Sequence, residues 1–284
     1  MVEARPIAVI GAGAMGSGIA QVAATSGFRV TLSDVSAAVL EKSLVTIQKS
    51  LARLVKAGTL AAEQAAGALS RIATTIDLAE AVSEAQSVIE AIPEDLALKR
   101  EIFRRLDAAA PSHTLLLSNT SELSIAELAS ATNRRDRVAG MHWFNPPPLM
   151  KLIEIVRAVE TSDATVAAVE ELSRRMGKET VVCRDVRGFI TSRALAAHVL
   201  ECFRIAEEGI ATPKDIDTAI RLGLNYPMGP FELADYVGLD VLAAAARGLF
   251  EAHGSRFSPP RLLLERVEQG HFGVKSGKGF YDHG

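Results

Sequence analysis

Residues Ile7–Gly16 read IAVIGAGAMG: a run of four apolar residues of strand type enters Gly11-Ala12-Gly13-Ala14-Met15-Gly16, and a helical stretch follows. Glycines at this junction make a tight turn and let backbone approach a pyrophosphate at the helix N-terminus, where unpaired N–H groups and the helix dipole favour an anion. Alone the motif is weak. Asp34, 18 residues past Gly16 and just beyond the second β-type run Val30–Leu32, supplies the rest of the dinucleotide-binding fingerprint. A carboxylate there accepts hydrogen bonds from a ribose 2′-hydroxyl and repels a 2′-phosphate, and no arginine follows at Val35 or Ser36. The expected cofactor is NAD. The bland alternative is a glycine-rich turn beside a solvated aspartate.

Outward from this loop, short β-branched runs alternate with helical stretches. Ile72–Thr74, Ser87–Ala91, Thr114–Leu117 and Val138–Met141 continue the strand series, and Leu152–Val156 and Glu179–Cys183 extend it. Such alternation implies an α/β fold: a doubly wound, Rossmann-type parallel sheet covered by helices. Ser36–Gly67, with a break near Gly58, is too long for a simple crossover and reads as a helical hairpin insertion. Past Glu179–Cys183 the strand signal ends, and Arg184–Gly188 marks a boundary between an NAD-binding domain, 1–184, and an all-α domain, 185–284. In Phe189–Glu208 one stripe runs through Leu195, Val199, Cys202 and Ala206, a second through Ala196, Leu200 and Phe203, so this helix is expected to be buried on two sides. Thr212-Pro213-Lys214-Asp215 opens another helix with an N-cap and first-turn proline, and Gly223 closes it.

The bulk numbers narrow the function classes. A 284-residue chain can bury a large core without staples. Its 31 basic and 34 acidic residues, interspersed to a net charge of -3, give no electrostatic case for nucleic acid or an anionic membrane. Ile7–Phe28 lacks charge, but its five glycines and its polar residues argue against a membrane span. Cys183 and Cys202 lie in no metal or CxxC spacing, so no metal is expected and a reducing cytoplasm is the simplest setting.

Gly140–Val156, GMHWFNPPPLMKLIEIV, carries the chemistry. Prolines between two strand-type runs exclude helix. Strand alternation puts Glu154 on one face with Leu152 and Val156, where an ionised carboxylate is costly unless paired. His142 is the natural partner. Oxidising a secondary alcohol needs a base for the hydroxyl proton, a task imidazole suits, with a carboxylate to orient it. A buried structural histidine is the competing reading. Ser121, in the loop after Thr114–Leu117, lies on the carboxyl edge where open sheets bind ligands, although Ser118-Asn119-Thr120-Ser121 would serve an ordinary turn equally well.

Taken together, the glycine loop, Ser118–Ser121, Gly140–Val156 and MGPFELADYVGLD from Met228 to Asp240 resemble the short-chain L-3-hydroxyacyl-CoA dehydrogenases, nearest to bacterial 3-hydroxybutyryl-CoA dehydrogenases. The likeness runs from Ile7 to Tyr281. It implies NAD-dependent interconversion of an L-3-hydroxyacyl-CoA and its 3-oxoacyl-CoA, with His142 as general base or acid, Glu154 orienting it and Ser121 on substrate and cofactor. It further implies cofactor contacts from Glu94, Lys99, Asn145 and Lys275. On residues alone Glu94 and Lys99 equally suit a surface ion pair. Ser192 departs from the pattern, since the family has asparagine there, at the reacting centre; serine is shorter and lacks the amide fork, so altered rate or acyl preference is expected. Ser50, Arg53 and Lys56 lie near one helix face, and the resemblance points to Ser50 and Lys56 for the coenzyme A moiety. It also implies a homodimer through the C-terminal domain. The competing functions are a dehydrogenase of a non-CoA hydroxy acid, of the gulonate dehydrogenase or lambda-crystallin type, and a non-catalytic NAD-binding protein.

Overall fold

Six short strands lie parallel in the order β3-β2-β1-β4-β5-β6: β1 Ile7–Ile10, β2 Val30–Ser33, β3 Ile72–Thr75, β4 Ser87–Glu90, β5 Leu115–Ser118 and β6 Val138–Trp143. β7, Leu152–Arg157, then runs antiparallel to β6, and β8, Glu179–Arg184, lies parallel to β7 at the sheet edge. This computed structural model describes residues 6–284. The reversal at β7 has a local cause, because the segment between β6 and β7 is too short for a helical crossover and returns as a hairpin. The central strands β1, β4 and β6 are buried along their whole length and mostly apolar, as expected of a sheet covered on both faces, with Ser87, Glu90 and His142 the polar exceptions.

The covering helices are α1 Ala14–Thr25, α2 Ala37–Lys56, α3 Ala62–Ser70, α4 Leu78–Val82, α5 Leu96–Ala109, α6 Ile125–Ala129 and α7 Asp163–Arg175. α2 and α3 are the helical hairpin, and the break falls at Gly58, whose φ of +72° a glycine adopts without strain. α2 turns Leu40, Ser43, Ile47 and Leu51 inward, which leaves Arg53 and Lys56 exposed and Ser50 half-buried.

The chain divides into two compact units between Val186 and Arg187. The second unit holds α8 Thr191–Glu207, α9 Pro213–Gly223, α10 Pro230–Val237, α11 Leu239–His253 and α12 Arg261–Glu268, and no strand among the described residues. α8 begins two residues later than its apolar pattern suggests, because Gly188 and Phe189 take positive φ and break the backbone before it. Ala196, Leu200 and Phe203 of one stripe are buried, and in the other Val199 and Cys202 are buried with Ala206 half-buried against the same core, so both stripes turn inward and only Leu195, in the first turn, is exposed. Thr212 caps α9 through its hydroxyl, which accepts from the Asp215 amide at 3.2 Å. Two buried aspartates fasten the C-terminal segment: Asp235 accepts from the amides of Phe280 and Tyr281 at 2.8 and 2.9 Å, and Asp217 accepts from the Tyr281 hydroxyl at 2.6 Å. Burial holds the Asp217 carboxyl above the ordinary carboxylate range.

Candidate active site

Because β1, β4, β5 and β6 are parallel, their carboxyl ends lie along one edge of the sheet. The glycine loop after β1, the Ser118–Ser121 loop after β5 and His142 near the end of β6 all fall there, where open α/β sheets bind ligands.

The loop geometry suits a dinucleotide. Gly11 has φ +98°, and a Cβ on it would lie 2.6 Å from the Ala91 carbonyl oxygen; one on Gly16 would meet the Gly11 oxygen at 1.7 Å. Neither position admits a side chain. A Cβ on Gly13 would meet nothing within 4 Å, so backbone is open to an approaching ligand there. Gly13 is also the N-cap of α1, which has neither a side-chain cap nor an acid in its first turn, so its leading N–H groups are left for an anion. Asp34 fixes the loop as well as facing the cleft: its carboxylate accepts from Ala12 N at 2.9 Å and from Ser36 N at 3.1 Å. An apolar cleft of about 620 Å³ opens beside it, lined by Gly13, Ala14, Met15, Asp34, Val35, Ile76, Leu98 and Arg105. These residues fit NAD, with the flat adenine suited to the aliphatic walls and the ribose to Asp34.

β6 and β7 pair with His142 directly opposite Glu154, so the two side chains leave the sheet on the same face. His142 Nδ1 and Glu154 Oε2 are 2.8 Å apart, and the residues are 4% and 0% exposed. A carboxylate this deep is tolerated because it is paired. With a proton on Nδ1 the ring would donate to this carboxylate and leave Nε2 available for proton exchange. The Phe144 ring lies 4.6 Å from the imidazole. Asn119 links the neighbouring loop to this strand, its Oδ1 accepting from Trp143 N at 2.9 Å.

Lys99 does not form a surface pair. It is 1% exposed, its Nζ lies 2.6 Å from Glu90 and 3.3 Å from Glu94, and it donates to the Ile92 carbonyl at 3.1 Å. Glu90, fully buried at the end of β4, also accepts from Ser118 Oγ at 2.6 Å and Ile92 N at 2.8 Å. Burial pushes its carboxyl above the ordinary range, with Lys99 the chief opposing influence. Glu94 in turn accepts from Thr120 Oγ1 at 2.5 Å and Ser121 N at 2.9 Å. The Ser121 loop is thereby anchored to a buried ion network that stiffens the carboxyl edge. In the sequence Asn119 and Thr120 read as members of an ordinary turn and Glu90 stands out only as a lone carboxylate closing the run Ser87–Glu90, the one signal of its role.

The remaining expected residues are more scattered. Asn145 is exposed in the loop after β6. Ser192 is the second residue of α8 and half-buried, and Lys275 is exposed and paired with Asp240 at 2.6 Å, both in the second unit. The two thiols are pushed up to about 11, first by burial, which keeps both as thiols at neutral pH.

Known proteins match this arrangement over its whole length. Residues 6–186 match the 3-hydroxyacyl-CoA dehydrogenase NAD-binding domain, and residues 188–283 match the C-terminal domain of the same name. The mitochondrial hydroxyacyl-coenzyme A dehydrogenase of Homo sapiens is 45% identical over 286 residues, covering 98% of this chain and 91% of the human one. A probable 3-hydroxybutyryl-CoA dehydrogenase of Bacillus subtilis is 44% identical, covering 99% of this chain and 98% of its own. The crystal structure of (S)-3-hydroxybutyryl-CoA dehydrogenase from Ralstonia eutropha shares the fold with a TM-score of 0.95 at 38% identity, covering 99% of this chain and 100% of the other. With both domains matched in order and the glycine loop shaped for a dinucleotide, this chain belongs to the 3-hydroxyacyl-CoA dehydrogenase family.

Proposed function

We propose that the protein is an NAD-dependent L-3-hydroxyacyl-CoA dehydrogenase acting on short acyl chains such as 3-hydroxybutyryl-CoA. The observation that carries this reading is the buried His142–Glu154 pair at the sheet edge that also bears the dinucleotide loop. Bound NAD supplies the hydride acceptor. His142 takes the proton of the 3-hydroxyl at Nε2, and Glu154 stabilises the imidazolium that results; in the reducing direction His142 returns that proton to the carbonyl oxygen. Ser121, its amide held by Glu94, hydrogen-bonds the reacting oxygen. A protein that only bound the dinucleotide would gain nothing from burying this pair, since burial of a carboxylate costs stability even when it is paired.

Lys56 and Ser50 on α2 receive the coenzyme A moiety, Lys56 meeting phosphate with an exposed ammonium. The reading extends to a cytoplasmic homodimer joined through the C-terminal domain. Both cysteines are free, and the second unit exposes Leu222, Leu224, Tyr226, Tyr236 and Val241, apolar surface of the kind that association covers.

Substrate class is tested by comparing acetoacetyl-CoA with free acetoacetate as oxidants of NADH. If remote coenzyme A contacts contribute to transition-state binding, kcat/KM for the thioester exceeds that for the acid by about a hundredfold or more. Equal values would contradict the proposal and favour a non-CoA hydroxy acid.

A further inference from the structure

Between β6 and β7 the chain makes a tight turn on its prolines: the amides of Leu149 and Met150 both donate to the Pro146 carbonyl, at 3.0 and 3.1 Å. Two contacts hold this turn to the rest of its unit. Pro147 sits on α1, so close to Gly18 that a Cβ there would lie 2.8 Å from the proline ring. Opposite it, Lys178, at the entrance to β8, donates from Nζ to the carbonyls of Pro147 and Met150, each at 2.7 Å. Lys178 is only 8% exposed, and among the described residues no carboxylate pairs with it. Its ammonium lies 5.5 Å from the ring centre of Trp143, the neighbour of His142.

A buried cation held by carbonyls rather than by an anion is an expensive way to secure a loop, and burial pushes its pKa below the ordinary lysine value. It is understandable where the loop must be fixed closely. This loop is tied at one end to the strand of His142 and at the other to the strand of Glu154, and it carries Asn145. We propose that Lys178 is a positioning residue for proton transfer, clamping the Pro146–Met150 turn against α1 so that His142 and Glu154 keep their register and Asn145 its place at the cofactor edge. The inference rests on the dehydrogenase reading above. Lys178 touches no reacting atom in this scheme and acts through the turn.

Lys178→Met keeps the stem and removes the donors, leaving two carbonyls unpaired. In the full-length protein, kcat for acetoacetyl-CoA reduction falls about tenfold or more while KM changes less than about twofold, the pattern of lost positioning in the transition state. Backbone hydrogen exchange in residues 144–151 quickens by about tenfold or more, and emission from Trp143, the chain's one tryptophan, shifts. Lys178→Arg, which keeps donors, recovers much of both kcat and protection. If the methionine variant does not fold, Lys178→Gln serves, with the same selective loss of kcat expected. Unchanged kcat together with unchanged exchange in a folded variant overturns the proposal and leaves the dehydrogenase reading intact. A wild type inert toward acetoacetyl-CoA but with His142 paired as described overturns that reading instead, and the exchange measurement still decides whether Lys178 clamps the turn.

Discussion

His142→Ala lowers kcat for reduction of acetoacetyl-CoA by about a thousandfold, within the range a positioned acid–base group supplies, or ~4 kcal/mol of transition-state stabilisation. The affinity for NADH stays within about threefold of wild type, because the ring has no part in holding the dinucleotide loop. The imidazole is oriented by a carboxylate 2.8 Å away that nothing in solvent can replace, so the variant leaves Glu154 buried without its partner while the glycine loop, on another strand, is untouched. Stopped-flow turnover alongside NADH fluorescence titration separates the two effects. A variant that keeps more than about a tenth of wild-type kcat would show that His142 is structural.

The second large effect is on stability. Lys99→Met removes the cation between Glu90 and Glu94 and strands Glu90 in a site with no access to water. Breaking a buried pair from one side costs about 3–5 kcal/mol, whereas exchanging both partners for apolar or neutral groups costs far less. Lys99→Met combined with Glu90→Gln is therefore expected to recover most of the loss, and the coupling between the two changes reports the pair. Urea unfolding followed by Trp143 fluorescence reads the unit concerned, since the only tryptophan lies on β6. The pH dependence has a definite sign. Burial already holds the Glu90 carboxyl above its unfolded value, and a group raised on folding contributes stability that is present at low pH and lost as pH rises through the folded pKa. Without Lys99 that pKa goes higher, so the deficit of the variant grows as pH rises through the interval between the wild-type and variant folded pKa values. A deficit that is constant or shrinks over that interval would contradict the account.

What the sequence disclosed about this molecule follows from how locally each feature is encoded. The turn after β1 needs glycines at Gly11 and Gly16 because their Cβ positions are filled by neighbouring backbone, and such a demand leaves its mark on consecutive residues. The strand runs and the α2–α3 hairpin were legible for the same reason. His142 and Glu154 were legible as a pair because a single hairpin carries both. Lys99 was not, since Ala91–Lys99 reads as a charged surface stretch and its burial arises only where β4, β5 and the start of α5 converge. Lys178 lies 28 residues from the Met150 carbonyl that it holds, and nothing in its neighbourhood distinguishes it from a solvated lysine. Leu195 alone departs from its stripe, because helical periodicity assigns residues to a face without saying how far along the helix a neighbouring element covers it. Ser192 and Lys275 belong to the second unit, so their part in the chemistry rests on the family resemblance rather than on spacing.

The central claim is that this chain transfers hydride at the 3-position of an L-hydroxyacyl thioester. It is tested most directly by supplying the purified protein with NAD and either L- or D-3-hydroxybutyryl-CoA and following NADH formation. The account predicts steady NADH formation from the L isomer and none above background from the D isomer. Equal rates with both isomers, or no NADH from either while NAD binds normally, would contradict it.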